Sequence, residues 1–174
     1  MDSRPKIENG SKAPDFTLSD LHDEQHSLTD YTGQIVIINF WSAECPWSSR
    51  ADELILEYLP TWGEGVIYLP IAANVNESRE LITGEAKARN LSCLLLDVNL
   101  QVADQYDAVT TPHIFVIDEQ GILRYQGALD DVTFRQRTPT INYMEMAVNA
   151  ILNNSSPEPA IIPSYGCTVI RATP

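Results

Sequence analysis

The apolar segment Ile35-Val36-Ile37-Ile38-Asn39-Phe40-Trp41 constrains the fold of this chain more than any other part of the sequence. A nearly continuous apolar run of this kind is typical of a central strand that is covered on both faces. Beyond Cys45-Pro46 the apolar period becomes helical, with one stripe formed by Ala51, Leu54, Ile55, Tyr58 and Leu59. We expect Pro60 and Gly63 to end this helix. The chain therefore runs from a buried strand directly into a helix.

The alternation of strand and helix continues along the chain. The expected elements are a strand at 66–72, a helix at 77–89 behind an Asn76 cap, a strand at 93–96, and a short helix at 100–106 capped by Asn99. This rhythm predicts an α/β fold with a largely parallel sheet.

Shorter segments flank this central unit. Residues 13–18 read as a short strand with a possible partner at 24–28, and residues 113–118 and 122–125 form a predicted hairpin. The last helix is expected to begin with Thr138 as its cap and Pro139 in its first turn. Its buried face would be formed by Ile141, Met144, Val148 and Ile151.

The length of 174 residues and the hydrophobic content of 44% suit one domain that can bury a core without disulfides. We expect an N-terminal tail at 1–12, the domain at 13–152, and a Pro-rich C-terminal tail at 153–174. This tail carries Cys167 within an apolar segment, 165–170, that we expect to dock back onto the domain.

The charge balance excludes several classes of partner. The net charge of -13 would repel nucleic acid and an anionic membrane surface. No apolar run reaches the roughly 18 residues that span a bilayer, and residues 1–14 contain no apolar signal core. The three cysteines are too scattered for a disulfide framework or for zinc-ligand spacing. We therefore expect a cytoplasmic protein without a membrane partner.

Cys45 is the residue most suited to chemistry. It stands at the expected N-terminus of a helix, where unpaired N–H groups and the helix dipole stabilise a thiolate, the form that attacks disulfides and peroxides. Pro46 suits the first helical turn, and the Ser48 hydroxyl can donate a hydrogen bond to the same sulfur. The alternative is that Cys45 is an inert, buried thiol.

The pattern Phe40-Trp41-x-x-x-Cys45-Pro46-x-Ser48 resembles the active-site turn of the thioredoxin superfamily, and Thr111-Pro112 resembles a second hallmark of that fold. The resemblance implies a thioredoxin-like fold, a central mixed sheet flanked by helices, with an N-terminal β extension and a C-terminal tail. It also implies that Pro112 is cis, lies beside the reactive cysteine, and leaves the preceding backbone free to pair with an extended substrate.

Two further regions narrow the resemblance to the redoxin branch, which includes the alkyl hydroperoxide reductase and thiol-specific antioxidant proteins. They are Ala13-Pro14-Asp15-Phe16-Thr17-Leu18 and the stretch from Ile35 onward. The C-terminal third, with Tyr125-x-Gly127-x-x-Asp130-Asp131, Asn142-Tyr143 and Gly166-Cys167-Thr168-Val169-Ile170, is similar to a peroxiredoxin-like group of redoxins.

The sequence departs from both the thioredoxin motif and the peroxiredoxin motif. Ser48 replaces the second cysteine of a Cys-x-x-Cys site, so this motif cannot close its own disulfide. Asn39 stands where thioredoxins carry a buried Asp. Ser42 can stand for the Thr of the peroxiredoxin motif, but isoleucine replaces its Pro, and the nearest arginines by sequence are Arg50 and Arg124.

Cys167 is the candidate resolving thiol, because the related group carries a similar cysteine there; the alternative is an unpaired or buried thiol. Cys93 is expected to be a core residue. The catalytic candidates are thus Cys45, Ser48 and Cys167, and the expected substrate contacts are Trp41, Ser42, Pro46, Trp47, Thr111 and Pro112.

We expect no cofactor and no metal, although His22 and His26 lie in a polar loop. His113 is either a proton donor near the thiol or a strand histidine.

Two functions remain open. In the first, the Cys45 thiolate attacks a protein disulfide or a small peroxide, and Cys167 or an external thiol reductant resolves the product. This enzyme would be a thiol-disulfide oxidoreductase or a peroxiredoxin-like antioxidant. In the second, the chain is a non-catalytic thioredoxin-fold binding module with a degenerate Cys-x-x-Ser motif. The sequence does not distinguish oligomeric states.

Overall fold

A computed structural model describes residues 7–172 of the chain, so residues 1–6 and 173–174 of the two expected tails lie outside it. Nine strands form a seven-stranded mixed sheet, in the order β2-β1-β5-β4-β3-β7-β8, and a separate two-stranded pair, β6-β9. The strands are β1 (Thr17–Asp20), β2 (Gln25–Ser27), β3 (Ile35–Trp41), β4 (Val66–Ala72), β5 (Leu95–Leu96), β6 (Thr110–Thr111), β7 (His113–Ile117), β8 (Leu123–Gly127) and β9 (Cys167–Thr168).

Helices flank this sheet, which confirms the expected fold class with a central mixed sheet. The expectation of a largely parallel sheet is wrong, since four of its six strand pairings are antiparallel and two are parallel. They are a 3-10 helix at Leu28–Tyr31 and four α-helices, α1 (Pro46–Trp62), α2 (Arg79–Ala88), α3 (Gln101–Gln105) and α4 (Tyr143–Leu152). None of the helices within residues 7–172 is long and apolar enough to cross a membrane.

Strand β3 is the centre of the sheet because all seven of its residues are buried. It pairs in parallel with β4 and antiparallel with β7. Its alternating side chains enter two cores: Val36, Ile38 and Phe40 face one, and Ile35 and Ile37 face the other. The continuous apolar run in the sequence thus reflects burial on both sides of the sheet.

Three expected helix starts are wrong, in each case because another side chain binds the backbone. Helix α2 is capped by Ser78, whose hydroxyl accepts from the Leu81 N–H, and not by Asn76. At α3 the Asp97 carboxylate accepts from the Ala103 N–H, in place of an Asn99 cap. Helix α4 is capped by Asn142, which accepts from the Glu145 N–H.

The expected Thr138 start fails because the preceding segment is held as a loop. The Asp131 carboxylate accepts hydrogen bonds from the backbone N–H groups of Thr140 and Ile141. Ile141 is consequently 40% exposed instead of buried on the helix face. Pro60 also does not end α1, which continues to Trp62, because a proline in the last turn removes few helical hydrogen bonds.

The C-terminal segment docks onto the domain, as predicted. Strand β9 pairs antiparallel with β6, and residue 126 of β8 exchanges backbone hydrogen bonds with residues 160 and 162. Gly127 permits this approach, since a Cβ there would lie 1.7 Å from the Ile162 carbonyl oxygen. Residues of the expected N-terminal tail also bind the domain, since the Gly10 N–H donates to the Leu123 carbonyl.

Candidate functional site

Cys45 lies at the junction that the sequence predicted, between β3 and α1. It is the N-cap residue of α1, with Pro46 in the first turn, and its side chain is only 2% exposed. Its thiol donates to the Thr111 carbonyl oxygen at 3.0 Å. The Thr111–Pro112 peptide bond is cis, as the resemblance implies. The structure thus brings together the helix N-terminus and the cis-proline loop.

Cys167 lies directly against Cys45. The two sulfur atoms are 2.7 Å apart, although the cysteines are separated by 122 positions in the sequence. The β6–β9 pairing explains this proximity, because Cys167 is the register partner of Thr111. Both thiols are free in this structure. A disulfide between them needs only a small approach, since an S–S bond measures about 2.05 Å.

The surroundings favour a thiolate on Cys45 and a thiol on Cys167. Burial acts to raise the pKa of Cys45, but hydrogen bonds from the Cys167 thiol and from the backbone N–H groups of Ser48 and Cys167 outweigh it and lower the pKa. Burial, together with the hydrogen bond to Cys45 and its charge, raises the pKa of Cys167 to about 12. The pair therefore resembles a nucleophile and its proton-bearing neighbour.

Ser48 contributes to the site through its backbone. Its N–H stabilises the Cys45 thiolate, as expected at a helix N-terminus. Its hydroxyl, which we expected to donate to the sulfur, instead accepts from the Ser42 N–H at 3.3 Å. That expectation is corrected because the hydroxyl is fully buried against the loop that precedes Cys45.

Glu77 holds this loop from the opposite side. Its carboxylate accepts from the Ser42 hydroxyl and from the backbone N–H groups of Ala43 and Glu44. Ser42 is therefore turned toward Glu77, and its contact with a substrate stays a prediction. Glu77 carries no sequence signal for this role, because the residue falls at the start of the helix expected at 77–89.

A buried ionic network lies behind the loop. The Arg89 guanidinium donates to the carbonyl oxygens of Ser42 and Ala43 and to the Asp52 carboxylate. Burial raises the pKa of Asp52, although hydrogen bonds from Tyr68 and Trp41 and the charge of Arg89 oppose this effect. Asp52 is thus a buried acid that lies on helix α1. The position on β3 where thioredoxins carry their buried Asp is occupied here by Asn39.

Trp41 belongs to this network and not to a substrate wall. Its side chain is fully buried, its indole N–H donates to Asp52 at 2.7 Å, and the Arg89 guanidinium lies 4.8 Å from its ring centroid. The expectation of substrate contact is therefore wrong for Trp41, because the ring is enclosed by protein on all sides.

Trp47 and Pro46 lie nearer the surface. Pro46 is exposed, and Trp47 is partly buried with its ring edge to face with Tyr165 of the tail, at 5.2 Å between centroids. Pro46 and Trp47 directly follow Cys45 in α1, and the buried Thr111 supplies the carbonyl that meets its sulfur, beside Pro112. Their contact with a substrate stays a prediction.

The charged groups considered for peroxide binding are engaged elsewhere. Arg50 pairs with Asp130, and Arg124 donates to Asp118 at 2.6 Å. Burial lowers the pKa of His113 to about 4, and its ring packs beside Phe115 at 4.5 Å between centroids. His113 is therefore a neutral strand histidine at pH 7 and has no proton to donate from an imidazolium.

One group of side chains in the described part of the chain has the spacing of metal ligands. Asp20, His26 and Cys93 present donor atoms that lie within 4.8 Å of one another. They lie at the β2-β1-β5 end of the sheet, whereas Cys45 follows the central strand β3. Asp20 and His26 already pair with each other at 3.2 Å. The absence of a metal from the function stays a prediction.

Comparison with known proteins agrees with this geometry. A family model described as the AhpC/TSA family matches residues 9–126, more than half of the chain, and ends before the segment with Cys167. The thiol-disulfide oxidoreductase ResA of Geobacillus thermodenitrificans is 34% identical over 113 residues, which are 64% of this chain and 64% of that protein. The chain thus spans less than two thirds of that relative's length.

Two solved structures match almost the whole chain, including the tail. A hypothetical protein from Sinorhizobium meliloti has 26% identity and a TM-score of 0.83, with 97% of this chain and 98% of that chain covered. An uncharacterized conserved protein from Geobacillus kaustophilus has 24% identity and a TM-score of 0.84, with 96% and 94% covered. The second likeness is evidence for the fold alone.

Proposed function

Because the chain belongs to the AhpC/TSA family, we propose that it is a thiol-based oxidoreductase in which Cys45 is the nucleophile and Cys167 is the resolving thiol. One observation carries this proposal: the sulfur of Cys167 lies 2.7 Å from that of Cys45, at the N-terminus of α1. The relation to a thiol-disulfide oxidoreductase supports the reaction class.

With a disulfide substrate, the reaction would need two exchange steps. The Cys45 thiolate attacks one sulfur of the substrate, which breaks the substrate S–S bond and releases one thiolate. Cys167 then loses its proton and attacks the Cys45 sulfur of the mixed disulfide, which releases the second substrate thiolate. The substrate gains two electrons, and the protein is left with a Cys45–Cys167 disulfide.

With a hydroperoxide, the same pair of thiols would react through a sulfenic acid on Cys45 instead of a mixed disulfide. The Cys45 thiolate attacks one peroxide oxygen, the O–O bond breaks, and water or an alcohol leaves after protonation. Cys167 then attacks the sulfur of the resulting sulfenic acid, and water leaves as the S–S bond forms. An antioxidant role would rest on this branch.

Both branches end in the same oxidised protein, which an external thiol reductant must return to two thiols. We place this cycle in a reducing compartment such as the cytoplasm, because three cysteines scattered along the chain do not form the disulfide framework typical of secreted domains. Protein disulfides and small peroxides are the substrate classes that the two branches would use.

The proposal is tested by oxidising the reduced protein with one molar equivalent of hydrogen peroxide or of a small disulfide. Peptide mass mapping then reports which cysteines are linked. We expect a Cys45–Cys167 link within one chain and an unmodified Cys93 with either oxidant. The faster oxidant identifies the branch that the site favours.

Two variants make the result specific. Cys167→Ser should stop at a sulfenic acid or a mixed disulfide on Cys45, and Cys93→Ser should react like the natural protein. A Cys45 that stays reduced under conditions that oxidise a free peptide thiol would refute the proposal. A link from Cys45 to Cys93 would refute the assignment of Cys167.

A further inference from the structure

The C-terminal strand β9 occupies the backbone edge next to Cys45. Thr110 pairs with Thr168, and Thr111 pairs with Cys167, so the edge that precedes cis-Pro112 already has an antiparallel partner. This pairing shows how an extended chain delivers a sulfur atom to Cys45. Any other extended segment that presents a cysteine in the same way would need the same edge.

The fit of the tail at this edge is close. Gly166 lies so near the cis-proline loop that a Cβ would be 2.2 Å from the Thr111 carbonyl oxygen and 3.0 Å from Pro112 Cδ. A side chain at position 166 would therefore displace the strand. Glycine immediately before Cys167 is the residue that lets the tail lie against the loop.

Further contacts hold the tail between two segments of the domain. Val169 is 3% exposed, and its N–H donates to the Val109 carbonyl. On the other side, the Ile170 N–H donates to the Asn74 side chain, and the Val75 N–H donates to the Ile170 carbonyl. The tail is therefore anchored like an inserted strand.

We propose that the segment 166–170 acts as a built-in occupant of the substrate edge, so that a protein disulfide reaches Cys45 only after this segment has left. The inference rests on the proposed function and specifies which substrates can reach Cys45. With the tail docked, Cys45 is 2% exposed and its sulfur faces Cys167 and the Thr111 carbonyl. The docked protein is selective for small oxidants, whereas the undocked protein also accepts extended disulfide peptides.

The test compares two variants that both trap substrate on Cys45. Cys167→Ser keeps the tail docked but cannot resolve a mixed disulfide, and Cys167→Ser with Gly166→Ala also displaces the tail. Each is incubated with a disulfide between a ten-residue extended peptide and a second thiol. Cys45 attacks this disulfide, keeps the peptide and releases the other thiol, so trapping is measured by mass.

We expect Gly166→Ala to raise the trapping rate about tenfold or more, because the rate follows the fraction of chains with an open edge. Oxidation of Cys45 by hydrogen peroxide should not rise in parallel, because a displaced tail no longer supplies the backbone N–H at position 167 that lowers the pKa of Cys45. The matched control is Gly84→Ala in the same Cys167→Ser background, since a Cβ at position 84 meets nothing within 4 Å. Val169→Asp, which removes a buried anchor, should act like Gly166→Ala.

The possible failures are distinguishable. If peroxide oxidises Cys45 in every variant but neither Gly166→Ala nor Val169→Asp accelerates peptide trapping, the tail does not control access and this inference is overturned. If Cys45 reacts with neither peroxide nor peptide in any variant, the proposed function itself fails. Circular dichroism and a melting curve for each variant show that the domain is folded during the assay.

Discussion

Cys45 and Cys93 are two shielded thiols in one chain whose surroundings act in opposite directions. Burial disfavours the thiolate at both. At Cys45 hydrogen-bond donors outweigh burial and lower the pKa. At Cys93 burial is reinforced by the negative charges of Asp20 and Glu24, and the pKa is raised to about 11. Because burial acts in the same direction at both cysteines, the groups that face each sulfur decide whether it can act as a nucleophile.

The origin of the difference lies in the secondary structure around each cysteine. Cys45 caps a 17-residue helix, where the Ser48 N–H lowers the pKa of its thiol, and it meets a second thiol on β9. Cys93 precedes the two-residue strand β5 and packs partly against the core. Its charged neighbours are acidic, so the protein surrounds one thiol with donors and the other with anions.

The largest expected effect is the difference in oxidation rate between the two thiols at pH 7. With a pKa of about 11, Cys93 is about one part in ten thousand thiolate at this pH. Cys45, with a pKa below its ordinary value of 9.0, should hold at least about a hundredfold more thiolate. The less basic thiolate is the weaker nucleophile, which offsets part of this excess. Hydrogen peroxide, which is small enough for a shielded site, should therefore oxidise Cys45 at least about tenfold faster.

The pH dependence of the oxidation rate shows whether the pKa of each thiol is lowered or raised. Reactivity of Cys45 should fall only as the pH drops below its lowered pKa, whereas that of Cys93 should keep rising toward pH 11. The rates are measured by mass in Cys93→Ser and in the double variant Cys45→Ser/Cys167→Ser, so that each experiment follows a defined site. Equal rates for the two sites at pH 7 would remove the distinction between them.

The strand and the helix that place Cys45 at a helix N-terminus are predictable from sequence. The apolar run of β3 and the helical stripe after Pro46 depend on neighbouring residues, and both elements form at the expected positions. The position of Cys45 at a helix N-terminus follows from them. The docking of residues 165–170 was also predicted from their apolar character, and strand β9 confirms it.

The side chains that support the Cys45 loop and set the helix ends depend on contacts between residues distant in sequence, which no local pattern reports. Glu77 binds the loop 34 positions before it, and Arg89 reaches Asp52 across 37 positions. In the same way, the helix α4 starts later than expected because Asp131 binds residues nine and ten positions away. Such side chains compete with local capping signals, so the sequence predicts elements better than their ends.

The second prediction concerns the support of the Cys45 loop. Glu77→Ala leaves the N–H groups of Ala43 and Glu44 and the Ser42 hydroxyl without their acceptor. We expect a loss of about 2–4 kcal/mol in the free energy of unfolding, because several donors lose a buried carboxylate. Urea denaturation measures this loss, and peroxide oxidation of Cys45 should slow while that of Cys93 is unchanged.

Glu80→Ala is the matched control, since Glu80 lies only three positions later, in the first turn of α2, and is exposed. It should change stability by less than about 0.5 kcal/mol. If Glu77→Ala were as mild as this control, the loop would not depend on the carboxylate. If it slowed the oxidation of both thiols equally, the effect would be general unfolding and not support of one site.

The smallest expected effect comes from removing one of the charges that oppose the Cys93 thiolate. Glu24 is an exposed residue whose negative charge helps to raise the pKa of Cys93, after burial and Asp20. Glu24→Gln should lower this pKa and increase the thiolate fraction by less than about threefold, because a surface charge is screened by water and salt.

This change is measurable in the Cys45→Ser/Cys167→Ser background, where Cys93 is the remaining thiol, by the pH dependence of its alkylation at low and high salt. The increase should shrink at high salt. Glu64→Gln is the control, since residue 64 precedes β4 while Cys93, by the register of Leu95 with Ile71, is level with the middle of that strand, about 17 Å away. An equal response to both substitutions would mean that the net charge of the chain, and not the charges facing Cys93, keeps this thiol protonated.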